Sequence, residues 1–180
     1  MHMETEKRVV DNARLARQRG AVITSTQALP FAFLIGAFAG LRSLTAPAAT
    51  AWAAHLGWLK VSSPLAWLGS VPSVIVLTLL ALAELVSDKL PETPSRTAPL
   101  GLGARIVMGA LCGAALCLAG TQQSGLVGAI VGAVGGIVGS FGGYQLRTRL
   151  VKALGSPDYV VAVVEDLVAI GGSLWVASRF

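Results

Sequence analysis

Glu84 and Asp88 stand four residues apart near the end of an apolar run, so a helix through them presents both carboxylates on one face. Two further acids, Glu165 and Asp166, interrupt another apolar run, and Arg42 with Ser43 interrupts a third. Ionisable groups in such surroundings are expensive, and by default they mark a site or a fixed ion pair. Acids of this kind bind a cation or a proton; an arginine among them holds an anion. Arg42, Ser43, Glu84, Asp88, Arg96, Arg147, Glu165 and Asp166 are therefore the candidate lining of a polar path. Arg42 and Arg147 are the expected partners of Glu84 and Glu165, an arrangement that also serves a purely structural role.

The elements that must position these groups are apolar. Hydrophobic residues make up 54% of the 180 residues and charged residues only 13%, about half the usual globular share. Mean hydropathy is +0.69. This composition points to an all-α polytopic membrane helix bundle of a single domain. Residues 1–27 form a basic N-terminal segment with Lys7, Arg8, Arg14, Arg17 and Arg19, suited to an anionic membrane surface. Five apolar runs follow, about 28–59, 67–90, 102–120, 125–146 and 159–180. The first is too long for one straight span and is broken around Arg42, Ser43 and Pro47. It reads either as one broken span or as a re-entrant hairpin. Lys60 and Arg179 are set against basic clusters on the other side of the spans, and with five spans the N-terminus is cytoplasmic and the C-terminus outside.

Glycines at 125, 128, 132, 135, 139 and 142 form a seam along one face of the fourth run, a device for close approach of another backbone. A homodimer packed through glycine faces is one expectation from it. Gly36-x-Phe38-x-Gly40 recurs as Gly139-x-Phe141-x-Gly143, each followed by an arginine, and Ala81-x-x-Glu84 recurs as Ala162-x-x-Glu165. Across five spans these matches describe an inverted-topology repeat, an architecture of secondary transporters.

Other chemistry has less support. Cys112 and Cys117 lie within an apolar run without His or Cys at zinc-ligand spacing, so they read as core residues. No cofactor is indicated, the metal question stays open, and dispersed basic residues argue against nucleic acid as a partner. His55 between Trp52 and Trp58 reads as interfacial. Glu84 and Asp88 followed by Pro94-Ser95-Arg96-Thr97 resemble the undecaprenyl-pyrophosphate phosphatase pattern of an acid pair with a Pro-Gly-x-Ser-Arg-Ser stretch, without its glycine and with Thr97 for the second serine. That resemblance implies a membrane-embedded phosphatase or phosphotransferase acting on a polyprenyl or lipid phosphate.

Over residues 28–178 the chain resembles an uncharacterised family of small bacterial integral-membrane proteins. The resemblance rests on Gly40-Leu41-Arg42-Ser43 with Thr45-Ala46-Pro47, on Asp88-Lys89-Leu90-Pro91 with Thr93-Pro94-Ser95-Arg96-Thr97, and on the glycine-rich fourth run. It implies a multi-pass protein of the bacterial inner membrane. The function expected from the residues is a small transporter or channel for an ion or small charged solute; the lipid-phosphate enzyme and a structural or assembly protein are the alternatives.

Overall fold

The computed structural model describes residues 25–88, 98–120, 124–155 and 158–180. The basic segment at residues 1–24 and the loop carrying Ser95 and Arg96 lie outside the described residues. Six helices are present: α1 (Ser25–Leu41), α2 (Thr45–His55), α3 (Val71–Ser87), α4 (Pro99–Gly120), α5 (Gly125–Leu154) and α6 (Asp158–Ala177), with a short 3-10 turn at Ala66–Gly69 and no strand among the described residues. Three of them, α4, α5 and α6, are long and apolar enough to cross a bilayer, and α1 and α3 are shorter apolar helices. The protein is an all-α membrane helix bundle, as its composition predicts.

Helix boundaries follow local chemistry. The Ser70 hydroxyl caps α3 with Pro72 in its first turn, and Ser124 caps α5 by accepting from the Leu126 amide. Gly155 ends α5 at φ 57, a left-handed conformation that favours glycine. Pro47, read from sequence as part of a break, is the third residue of α2. In a first turn its missing N–H removes no helix bond.

Glycines set the register of the spine. A Cβ on Gly36 would overlap the Gly132 carbonyl, and one on Gly40 would overlap the backbone of Gly136 and Ser140, so α1 and α5 run parallel. Gly109 meets Gly132 and Gly113 meets Gly128, so α4 runs antiparallel to α5. The seam on α5 is thus used within the chain, against α1 on one side and α4 on the other. Space is open around Gly103, Gly142 and Gly171, helix glycines that the contacts within the chain leave to a second copy. The parallel course of α1 and α5 also means that the Gly36–Gly40 and Gly139–Gly143 segments are not related by inversion.

The first apolar run takes the hairpin. Residues Arg42, Ser43 and Leu44 separate α1 from α2. Trp52 Nε1 then donates to Thr78 Oγ1 over 3.1 Å, while Ser43 and Leu44 bind Glu84, so α2 and α3 are antiparallel. Thr50 lies against Cys112, beside the Gly113 that packs on Gly128 and Gly132. Gly132 in turn faces Gly36, so α2 has returned along the bundle to the level of mid-α1. The sixth helix runs opposite to α1: Gly172 meets Phe38, and the Phe31 ring lies 5.9 Å from Trp175 and 5.8 Å from Phe180. The six helices alternate in direction. The start of α1 and the end of α6 therefore share one face, not the opposite faces that five spans imply.

The core is built largely of small residues; Ala28, Ala32, Ala39, Ala46, Ala51 and Ala53 are fully buried. Cys112 and Cys117 are buried and form no disulfide, as expected. Large apolar side chains such as Leu79, Val86, Val107, Ile130 and Leu167 face outward, the distribution of a protein whose solvent is hydrocarbon.

Candidate functional site

The reversal between α1 and α2 gathers the charges. Arg42 is the largest fully buried side chain. Its Nη1 donates to Asp88 Oδ2, just past the end of α3, and its Nη2 lies 2.6 Å from Asp166 Oδ1 on α6, close but not aligned as a hydrogen bond. A buried guanidinium is tolerable only with such compensation. Here two carboxylates from two different helices supply it.

Glu84 does something else. Its Oε1 accepts from the Ser43 amide at 2.8 Å and the Ser43 hydroxyl at 2.7 Å, and its Oε2 accepts from the Leu44 amide at 2.8 Å. The carboxylate thereby closes the N-terminal end of α2, where amides lack intrahelical partners and the helix dipole favours negative charge. Leu44, the residue preceding α2, makes no side-chain cap itself. Arg105 Nη2 approaches Glu84 Oε1 at 3.9 Å, while its Nη1 donates to Gly101 O at 3.1 Å. The expected Arg42–Glu84 pair is replaced by Arg42 with Asp88 and Asp166, because both oxygens of Glu84 are taken by the start of α2.

A second cluster joins α5 to α6. Arg147 Nε donates to Asp158 Oδ1 at 2.8 Å and Nη2 to Asp158 Oδ2, and Nη1 lies 3.7 Å from Glu165 Oε2. The anticipated Arg147–Glu165 proximity is present, with Asp158 as the closer partner. Arg96 lies outside the described residues. The remaining candidates, Arg42, Ser43, Glu84, Asp88 and Asp166, converge at the reversal, and Arg147 with Glu165 stands beside them, one residue along α6.

Sequence reasoning missed Arg105, Thr45, Ser140 and Ser173, all buried. Arg105 was legible as a basic residue inside the apolar helix that begins at Pro99, though it reads as a span-end charge. Ser140 Oγ donates to Gly136 O at 2.7 Å and reaches Gly40 O at 3.3 Å, tying α5 to the last turn of α1. Nothing in the spacing of these hydroxyls announces them.

The donor set does not fit a metal shared by Glu84 and Asp88. Glu84 already accepts three N–H or O–H bonds and Asp88 accepts from Arg42. Among the described residues no group of three or more His, Cys, Asp or Glu is arranged to hold a metal ion. His55 Nδ1 lies 3.0 Å from Gly69 O and its ring packs edge-on against Trp52, so it fastens the end of α2 to the 3-10 turn.

Comparison with known families places this arrangement. The model of a domain of unknown function, DUF4126, matches residues 29–178, and the chain belongs to that family. Searches of curated proteins and of solved structures give no match.

Proposed function

We propose that this member of the DUF4126 family is a small membrane carrier that moves an ion or small charged solute through the site around Arg42. The observation that carries the reading is the full burial of Arg42 at a helix reversal, clamped by Asp88 and Asp166 from separate helices. Irregular backbone at membrane depth is tolerated where it lines a site, and half-helix ends are what transporters aim at charged solutes. A closed network favours a carrier over an open channel: a solute that competes for Arg42 or for its acids loosens α3 and α6 together. The enzyme alternative is disfavoured by the engagement of Glu84, and a purely structural role by the concentration of charge at one reversal.

The protein belongs, on this reading, in the bacterial inner membrane. The hairpin puts the start of α1 and the end of α6 on one side and the basic residues Arg147, Arg149 and Lys152 on the other, so the charge asymmetry that assigned the N-terminus to the cytoplasm no longer decides the orientation.

The test is flux. Purified protein in liposomes is placed under proton and ion gradients, and wild type is compared with Asp166→Asn and Glu84→Gln. Loss of flux in variants that remain monodisperse supports the carrier. Absence of wild-type flux under every gradient, or flux indifferent to both substitutions, refutes it.

A further inference from the structure

The reversal just ahead of α2 is built as a receptor for a two-oxygen anion. The Ser43 amide meets one oxygen of Glu84 and the Leu44 amide meets the other, each at 2.8 Å, with the Ser43 hydroxyl at 2.7 Å on the first. One amide for each oxygen suits a planar carboxylate better than a spherical halide or a tetrahedral oxyanion. The occupant belongs to α3 and the donors to the α1–α2 reversal, so occupant and receptor sit on different helices.

The receptor also has donors to spare. Arg42 Nε and Thr45 Oγ1 flank the two amides in the chain; Arg42 is fully buried and Thr45 is 5% exposed, and neither atom has a hydrogen-bond partner. Ser173 Oγ, on the buried stripe of α6 that carries Asp166, is in the same condition. Orphaned buried donors are unfavourable unless a ligand uses them. The Arg42 and Thr45 donors, carried by the reversal itself, can serve more acceptor atoms than Glu84 supplies; Ser173, two turns beyond Asp166 and next to the Gly172 that meets Phe38, lies away from it.

We propose that the Arg42–Leu44 reversal, with Thr45 at the start of α2, is a carboxylate-binding subsite that Glu84 occupies in the state described, and that the transported solute is a small organic carboxylate which takes its place. This rests on the carrier reading above. Exchange of one carboxylate for another keeps the charge in the receptor constant. The displaced Glu84 has a counter-charge at hand in Arg105, already 3.9 Å away.

Glu84→Ala empties the receptor, and its refilling is measured by thermal melting of the purified variant in sodium acetate, in inorganic phosphate and in sodium chloride at equal ionic strength. Acetate is expected to raise the melting temperature by a few degrees, with a constant increment per tenfold concentration as mass action requires. Glu84→Gln, whose amide keeps the space filled, is expected to show no such rise. A response to acetate no greater than to chloride overturns the subsite, and a response to phosphate equal to or above that to acetate overturns the carboxylate assignment. If Glu84→Ala is not recovered folded, equilibrium binding of radiolabelled acetate to wild type and to Thr45→Val decides: saturable binding weakened about tenfold by loss of the Thr45 hydroxyl, which Glu84 does not use, supports the subsite, and no binding or equal binding overturns it. Flux enters none of these readouts, so their failure is distinct from failure of the carrier reading.

Discussion

Glu165 and Asp166 are adjacent on α6 and face different arginines, Glu165 toward Arg147 of α5 and Asp166 toward Arg42 at the α1–α2 reversal. Consecutive helical residues point about 100° apart, which follows from 3.6 residues per turn. One turn of one helix therefore carries both attachments.

Removing Arg42 strands two acids. Arg42→Ala is expected to destabilise the protein by about 3–5 kcal/mol, the usual consequence of leaving buried charge uncompensated. The triple variant with Asp88→Asn and Asp166→Asn is expected to recover a substantial part of that loss. Melting curves in detergent measure both, and equal melting of the single and triple variants would contradict the assigned pairing.

The end of α2 predicts a different response at Glu84. Glu84→Gln places an N–H group against the amides of Ser43 or Leu44 and should lower stability by about 1–3 kcal/mol. Hydrogen exchange resolves where the effect lies. Faster exchange is expected at the first turn of α2 and not along α4.

Glycine positions separate cleanly. A Cβ at Gly132 would collide with the Gly109 carbonyl, whereas one at Gly142 meets nothing within 4 Å. Gly132→Ala should therefore cost about 1–3 kcal/mol or more through overpacking. Gly142→Ala should be neutral or stabilising by up to about 1 kcal/mol. Thermal melting of the two variants tests the register of α1, α4 and α5.

The hairpin makes a topological prediction. Single cysteines at Lys60 and Arg179, in a background with Cys112 and Cys117 replaced by alanine, should react with a membrane-impermeant maleimide from the same side. A cysteine at Lys152 should react from the other. Labelling of Lys60 and Arg179 positions from opposite sides would rule out the reversal at Arg42.

Some of this architecture was legible in the chain. The interruption around Arg42, Ser43 and Pro47 stands out because a charge and an imino acid are conspicuous in an apolar run, though Pro47 belongs to the first turn of the next helix and not to the break. The glycine seam reads directly as close packing, since its spacing is the helix period. The direction taken after the interruption is not legible, because nothing local separates a kink from a reversal; the Glu84 carboxylate that receives the two amides arrives from 40 residues downstream. The same distance hid the true partners of Arg42. Like charges are interchangeable in a sequence, and only the prior engagement of Glu84 with backbone leaves Asp88 and Asp166 to the guanidinium. The inverted relation failed for a comparable reason: short Gly-x-Phe-x-Gly strings mark a packing surface without indicating which way the helix runs.

The glycine contacts among α1, α4 and α5 have a mechanical consequence. Where carbonyls meet glycine Cα atoms there is no side chain to rotate out of the way, so those three helices can slide only by breaking contact altogether. The third and sixth helices meet the reversal through carboxylate contacts, which can lengthen or reorient without any backbone collision. Stiffness in this molecule is therefore divided unevenly, with a backbone-locked trio on one side and, on the other, two helices whose seating is set by the hydrogen bonds and ion pairs of Glu84, Asp88 and Asp166.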